Sequence, residues 1–385
     1  MKNKFEKVYL IDSFSPKSHH EQYNASMAII LSSIFNEVIY YVGSGQKESI
    51  LTKMQDSKIS HSKIKWKHLN VNNELKGKKE WIQRLLKSLY YNIYLLLKIS
   101  PKSLIIYNYN NPLALWAIKL INLFKHCKII LITHGELEYL SNDLSIPYAR
   151  TTRLAGSFFK LSFKFMRNTK NIYYLVLGES IKQNFISYNL ANPSQIISLD
   201  HPYIFNQSLH LHNNHEHPTI GIKNINSSGL TDKYIQALAD KYPNLKFAII
   251  SSFTNLQGNN IQNYTQKGQK SRKEYEKVLS TFDALLFLYR RTEYKLKASG
   301  AIFDAIELGI PIIALKNDYF EYLFKMHGEL GYLYDDMQTL SNNISNAIND
   351  KEKLETIKSN LLKARIHHSP QSIATSMKQL LINIL

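Results

Sequence analysis

The chain has 385 residues, and 44% of them are hydrophobic, so the composition excludes a globally disordered protein. This length favours two domains over one, because single cores stop growing at about 250–300 residues. The 48 lysines and arginines exceed the 30 acidic residues by 18. Such an excess predicts an anionic partner, which is a phosphate-bearing ligand, a nucleic acid or an acidic membrane face.

Cys127 is the one cysteine of the sequence, so an intramolecular disulfide is excluded. Its apolar neighbours predict a small core residue. The sequence shows no apolar run of signal-peptide length near its start and none that approaches the ~18 residues needed to span a bilayer. We therefore expect a cytoplasmic protein with at most a peripheral contact at the inner face of a membrane.

Short apolar runs alternate with helical patterns from the start of the chain. Strands are predicted at 8–11, 38–42, 64–69, 104–107, 129–133, 172–177 and 196–199. Helices are predicted at 21–35, 78–98, 112–124, 151–166 and 179–188. Strands separated by helices in this way indicate a parallel sheet with right-handed crossovers.

The alternation stops between Asp200 and Pro218 and then begins again. Further strands are predicted at 219–222, 245–251, 284–288 and 311–315, and further helices at 230–241, 271–280, 299–308 and from 337 onward. We predict an α/β fold with two Rossmann-like domains. The domains are an N-terminal one over 1–200, a linker over 201–218, a C-terminal one over 219–370, and a C-terminal helix over 371–385 that packs back on the first domain.

The segment from Tyr289 to Ala314 carries the sharpest signal. The loop after its strand holds four cations, Arg290, Arg291, Lys295 and Lys297. Ser299 is predicted to cap the next helix, and Gly300 leaves room for a phosphate to approach the backbone. Free N–H groups at a helix start attract anions. Asp304 lies about one turn further along the helix, where its carboxylate could accept hydrogen bonds from the hydroxyls of a ribose.

This segment resembles the donor half of GT-B glycosyltransferases, where a Glu-Ala-x-x-x-Gly-x-Pro-type sequence follows the phosphate loop. The matching residues are Asp304-Ala305 and Gly309-Ile310-Pro311. Two departures stand out: Asp304 replaces the usual ribose-binding glutamate, and Leu296 stands where many retaining members carry an acid. Leu296 therefore gives no support to a retaining mechanism, and the stereochemical outcome stays open.

The resemblance implies two domains that face each other across a cleft, with a nucleotide-sugar donor on the C-terminal one. In this family the loop after the first C-terminal strand commonly lines the donor diphosphate. The matching candidates are Lys223, Ser227, Ser228 and Gly229. Taken alone, such a loop more often only makes a turn.

The same resemblance places the acceptor and the catalytic base on the N-terminal domain. Asp12 and His20 lie in the loop after the first strand, and His134 and Glu136 follow the strand at 129–133. A histidine suits the base because its pKa lies near neutrality, and a desolvated carboxylate is the other choice. A loop hydrogen bond explains each residue equally well, so the base stays open.

No Asp-x-Asp metal motif follows a strand at the expected donor site, and the pair Asp335-Asp336 lies before a helix that it is predicted to cap. The resemblance implies metal-independent chemistry, so we predict no required metal. No cofactor is expected beyond the nucleotide sugar as co-substrate. Two stretches, 78–98 and 153–170, mix cations with aromatic side chains and suit an anionic membrane surface or, equally, buried helices with snorkelling lysines. A membrane would bring a lipid-linked acceptor within reach, in surface polysaccharide or glycoconjugate synthesis.

Two other functions remain open from the sequence. A GT-B-like epimerase or hydrolase would act on a nucleotide sugar without an acceptor. A basic nucleic-acid-binding protein would also explain the charge, but no helix-turn-helix, zinc-finger or ribonucleoprotein signature is present, so no nucleic-acid partner is expected.

Overall fold

The computed structural model describes residues 6–17, 20–56, 62–71, 78–140, 150–205, 218–223, 230–250, 256–264 and 272–385. The chain divides into two compact units. The N-terminal unit comprises Met1–Phe205, Lys295–Ala298 and His368–Leu385. The C-terminal unit comprises Asn206–Tyr294 and Ser299–His367.

The described part of the N-terminal unit is a seven-stranded sheet with helices between its strands. In chain order the elements are β1 (Lys7–Ile11), α1 (Glu21–Ile34), β2 (Glu37–Val42), α2 (Gln46–Asp56), β3 (Ile64–His68), α3 (Lys78–Lys98), β4 (Leu104–Tyr107), α4 (Leu115–Lys125), β5 (Lys128–Ile132), α5 (Arg150–Lys164), β6 (Ile172–Val176), α6 (Glu179–Ser187) and β7 (Ile196–Ser198). The strand order is β3-β2-β1-β4-β5-β6-β7, and every pair is parallel.

The central strands of this sheet are apolar on both faces, as helix-covered parallel strands must be. All four residues of β4 are buried, and Ile129 to Ile132 of β5 are buried as well. Right-handed crossovers place α1 and α2 on one face and α3 to α6 on the other. Cys127, just before β5, is fully buried, which confirms it as a core residue.

The C-terminal residues complete the core of the N-terminal unit. Helix α13 (Pro370–Ile384) packs against α1. Its buried side chains recur every three or four residues, as expected for one face of a helix: Ile373, Met377, Leu381 and Ile384. This helix therefore shares a hydrophobic core with β1, β2 and β4.

The described part of the C-terminal unit has a six-stranded parallel sheet of order β10-β9-β8-β11-β12-β13. Its elements in chain order are β8 (Thr219–Lys223), α7 (Leu230–Lys241), β9 (Lys246–Ile250), β10 (Ile261–Asn263), α8 (Arg272–Leu279), β11 (Ala284–Phe287), α9 (Ile302–Leu308), β12 (Ile312–Leu315), α10 (Asp318–His327), β13 (Gly331–Tyr334), α11 (Met337–Asn349) and α12 (Lys351–His367). Two parallel α/β sheets thus confirm the predicted fold class.

Four elements were not predicted from the sequence: α2, β10, α10 and β13. The two strands span three and four residues, too few for a clear alternation of apolar and polar side chains. Of the four residues that α2 buries among those described, Gln46, Ile50, Lys53 and Met54, only two are apolar, so its pattern is weak. The predicted cap before α11 is confirmed, because Asp336 Oδ1 accepts a hydrogen bond from Thr339 N at 2.7 Å.

Within the described residues, none of the helices combines the length and the apolar composition required to cross a membrane.

Candidate functional site

Each sheet reverses its strand order once, between β1 and β4 in the N-terminal unit and between β8 and β11 in the C-terminal unit. On either side of such a point the connections leave the sheet in opposite directions. In folds of this kind the usual ligand site is the crevice beyond the carboxyl ends of the strands at such a point. The residues that follow β1, β4, β8 and β11 are therefore the first candidates.

Lys223 is the last residue of β8 and lies at the reversal point of the C-terminal unit. Its buried ammonium forms an ion pair and a hydrogen bond with the carboxylate of Asp304. The hydroxyl of Tyr275 donates to the same carboxylate oxygen, Oδ2, at 3.1 Å. The Tyr275 ring centroid lies 5.0 Å from Lys223 Nζ. Lys223 and Asp304, two predicted donor-site residues, are thus brought together, and Tyr275 is a third member that the sequence did not reveal.

The prediction that Ser299 caps helix α9 is wrong. Helix α9 begins at Ile302, and the preceding Ala301 makes no side-chain cap. Ser299 is buried three residues before the helix. A turn joins them instead, since Phe303 N donates to the carbonyl oxygen of Gly300 at 3.3 Å.

Gly300 lies in this turn and has open space beside it. Among the described residues other than its chain neighbours, none has an atom within 4 Å of a methyl group added at its Cα. The backbone is therefore accessible there, as the phosphate hypothesis requires, although the helix behind it spans only seven residues. Within the described part of the chain, no side chain blocks the approach of a ligand to the main chain at Gly300.

The four cations between β11 and α9 are divided between the two units. Arg290 and Arg291 are exposed in the C-terminal unit, and the guanidinium of Arg290 lies 3.9 Å from the carboxylate of Glu293. Lys295 and Lys297 belong to the N-terminal unit.

Glu138 holds part of this loop in the N-terminal unit. Its carboxylate accepts a hydrogen bond from Leu296 N at 3.3 Å and lies 3.6 Å from Lys297 Nζ. Glu138 was not among the site residues predicted from the sequence. The other predicted diphosphate residues, Ser227, Ser228 and Gly229, lie outside the described residues.

In the N-terminal unit, Asp12 fixes the loop that follows β1. Its buried carboxylate accepts hydrogen bonds from Phe14 N at 3.1 Å and Ser15 N at 2.9 Å through Oδ1. Through Oδ2 it accepts from Asn24 Nδ2 at 2.9 Å and Gln46 Nε2 at 2.8 Å. Four donors use the ordinary capacity of a carboxylate. The contacts favour a positioning role for Asp12 over the role of a base.

Glu136 is buried in the 3₁₀ turn after β5, which spans Gly135–Leu140. Its carboxyl oxygens accept hydrogen bonds from His134 N at 3.0 Å and Asn110 N at 3.1 Å. Burial raises the pKa of Glu136 to about 8, despite the opposing effect of these N–H groups. The carboxyl is therefore mostly protonated at neutral pH, which makes it a poor base there.

His134 lies in the same turn, with its ring oriented by the loop after β4. Its Nε2 lies 3.0 Å from the carbonyl oxygen of Asn108. A carbonyl can only accept, so Nε2 carries the hydrogen and Nδ1 is the basic nitrogen of the neutral ring. The ring stacks on His20 at 5.1 Å between centroids and meets the edge of Tyr23 at 4.4 Å. The structure thus groups two predicted bases, His134 and His20.

No protein-family model matches the chain, and no curated protein matches it by sequence. Solved structures do match over nearly the full length. A variant of S. aureus TarM, in complex with fondaparinux, alpha-GlcNAc-glycerol and UDP, is similar at a TM-score of 0.60 and 12% identity, with 99% of each chain covered.

Two further structures give the same result. Sucrose-phosphate synthase from Thermosynechococcus elongatus has a TM-score of 0.62 and 13% identity, and the match covers 98% of this chain and 99% of that one. The lipopolysaccharide outer core galactosyltransferase WaaB has a TM-score of 0.60 and 14% identity, with 98% and 100% covered. At these identities the likeness concerns the fold, and this chain has the GT-B fold found in those glycosyltransferases.

Proposed function

We propose that the chain is a glycosyltransferase that moves a sugar from a nucleotide-diphosphate sugar to a hydroxyl of a glycan or lipid-linked acceptor. The pathway we propose is surface polysaccharide or glycoconjugate synthesis at the inner face of a membrane. The observation that carries the proposal is Lys223, a buried cation at the strand-order reversal of the C-terminal unit. The UDP held by TarM and the galactosyl transfer named for WaaB support the donor class by analogy of fold.

Lys223 suits a diphosphate because it supplies charge that is already in place. Departure of the nucleoside diphosphate builds negative charge on the phosphate oxygens, and a preorganised cation stabilises that charge in the transition state. Asp304 and Tyr275 hold the ammonium of Lys223 in place at the end of β8, so little reorganisation of the lysine is needed. The accessible backbone at Gly300 offers a further place for phosphate oxygens. In this proposal no metal ion is required.

On the acceptor side, His134 is the base that the contacts favour. Its Nδ1 would accept the proton of the acceptor hydroxyl while that oxygen attacks the anomeric carbon. The Asn108 carbonyl holds the ring in the tautomer that this step requires. Glu136 supports the turn by accepting the backbone N–H of His134. His20, stacked on the ring, is the second choice of base.

We expect release of nucleoside diphosphate from one of the common nucleotide sugars, and we expect this release to depend on an added acceptor. A screen that compares donors with and without glycan acceptors measures both. Lys223→Met should weaken nucleoside diphosphate binding at least tenfold in calorimetry, because one charge-assisted contact contributes about 1.5–3 kcal/mol. Lys223→Arg should retain part of the affinity.

The matched control is Lys233→Met, which removes an exposed lysine from α7 of the same unit. Thermal unfolding of each variant separates loss of binding from loss of fold. Acceptor-independent release would instead indicate the epimerase or hydrolase. Unchanged binding by a folded Lys223→Met would contradict the donor assignment.

His134→Ala should lower turnover by roughly 10²–10⁴-fold and leave nucleotide affinity within about twofold, because a general base acts on the chemical step. Steady-state kinetics and nucleotide titration measure the two effects. His126→Ala is the control, since His126 is an exposed residue at the end of α4. A larger loss of turnover in His20→Ala than in His134→Ala would move the base to His20.

The raised pKa of Glu136 predicts a pH effect on stability. Between about pH 4.5 and 8 the unfolded carboxyl is ionised while the folded one keeps its proton, so the unfolding free energy falls as the pH rises. The loss is at most about 1.4 kcal/mol per pH unit. Glu136→Gln cannot ionise and should gain stability relative to the parent across this window. Urea unfolding at several pH values measures the difference, and parallel curves would show an ordinary pKa.

A further inference from the structure

Helices α3, α4 and α5 lie side by side on one face of the N-terminal sheet, and their outer sides are apolar. Contacts join α3 to α4 and α4 to α5. The exposed large apolar residues on or next to them form what we call the three-helix face: Ile82, Leu86, Tyr90, Tyr94, Leu97, Trp116, Leu120, Leu123, Phe124, Leu154, Phe158, Leu161 and Phe165. Adjoining exposed apolar stripes of this extent are unusual on a monomeric soluble protein.

These side chains are not needed for the core of the unit. On α3 the exposed residues follow one another at intervals of three or four, while a different stripe, which includes Leu85 and Leu96, is buried. On α5 the exposed Leu154 and Leu161 lie opposite the buried Phe159 and Phe163. Each helix therefore has a second apolar side beyond the one that packs on the sheet. Leu154 is 70% exposed and Phe124 is 80% exposed.

Two lysines of α4 hold the three helices together as a layer. The buried ammonium of Lys119 donates to the carbonyl oxygens of Ser162, Phe163 and Phe165 at 2.7–2.9 Å, at the end of α5. Lys125 donates in the same way to the carbonyl of Ile99 at 2.8 Å, after the end of α3. These contacts satisfy main-chain groups that a helix end leaves without intrahelical partners. The outward side chains are thus presented on a fixed surface.

The charges of the three helices are almost all positive. Helices α3, α4 and α5 contain eleven lysines and arginines, and Glu80 is their one acidic residue. Lys79, Lys98, Arg153 and Lys164 are exposed among the apolar positions. A second copy of this chain would place cations against cations, which is unfavourable. An anionic surface would instead be attracted to the cations while it covers the apolar side chains.

We propose that the three-helix face binds the surface of an anionic lipid bilayer. The leucines and Phe124 would enter the headgroup region, and the exposed Tyr90, Tyr94 and Trp116 have the amphipathic rings found at that depth. The axes of the three helices would lie parallel to the membrane plane, as those of interfacial helices do. This inference stands apart from the proposed glycosyl transfer, and only its use in reaching a lipid-linked acceptor rests on that function.

The test is sedimentation of the full chain with vesicles of phosphatidylcholine alone or mixed with phosphatidylglycerol. The parent should bind the mixed vesicles more tightly, and salt should weaken this binding. Leu86→Ser combined with Leu161→Ser should reduce partition by roughly tenfold or more, because both side chains lose apolar area at exposed sites. The matched control, Leu362→Ser with Ile366→Ser, changes two comparably exposed residues of α12 and should bind as the parent does.

Arg153→Gln combined with Lys164→Gln should lower binding to the mixed vesicles by on the order of tenfold. The same pair should leave partition to phosphatidylcholine nearly unchanged. Equal binding of the parent to both vesicles, or unaltered binding by the Leu86/Leu161 variant, would overturn the proposal. So would a dimer of the parent that dissociates in that variant, since a second copy would then cover the face.

Turnover with a water-soluble acceptor separates this proposal from the proposed function. We expect the face variants to keep that turnover, because their substitutions are exposed and lie outside the candidate site. A parent that binds vesicles but transfers no sugar would contradict the glycosyltransferase proposal alone. A parent that transfers sugar but ignores vesicles would contradict the membrane surface alone.

Discussion

The constraint on which the rest of this structure depends is the single handedness of its crossovers. The connections between parallel strands through a helix are right-handed crossovers. A sheet built from them can therefore extend toward both of its edges only by reversing its strand order once. The reversal falls between β1 and β4 in one unit and between β8 and β11 in the other. Side chains that follow these strands gather at one edge of the sheet. Lys223 and Asp12 owe their positions to this geometry.

Charge at these edges is held by dense hydrogen bonding. Asp12 takes four donors from four separate residues, and Lys223 is enclosed by a carboxylate and an aromatic ring. A buried charge with such partners avoids most of the cost of desolvation and stays in one position. Glu136 avoids the cost of a buried charge in a different way, because its raised pKa lets the carboxyl remain neutral. Paired charges and a neutral buried carboxyl both give a preorganised polar site.

The three-helix face and the candidate acceptor site belong to the same unit and are connected by its topology. Helices α3, α4 and α5 follow β3, β4 and β5, so each begins near the carboxyl edge, where His134 lies, and runs back along the sheet. A bilayer along this face would thus extend to the edge that carries the candidate base. The same crossover geometry would bring a lipid-linked acceptor close to the chemistry.

The sequence by itself determined the alternation of strands and helices, and with it two parallel sheets and the loops at their carboxyl ends, because local periodicity and chain order carry that information. Only the tertiary structure decided which polar groups meet. Lys223 and Asp304 are 81 positions apart, and Glu138 and Leu296 are 158 apart. The sequence also could not show that Ser299 precedes its helix by a turn, or which apolar stripe of α3 stays exposed. Those outcomes depend on packing between distant segments, which local pattern does not encode.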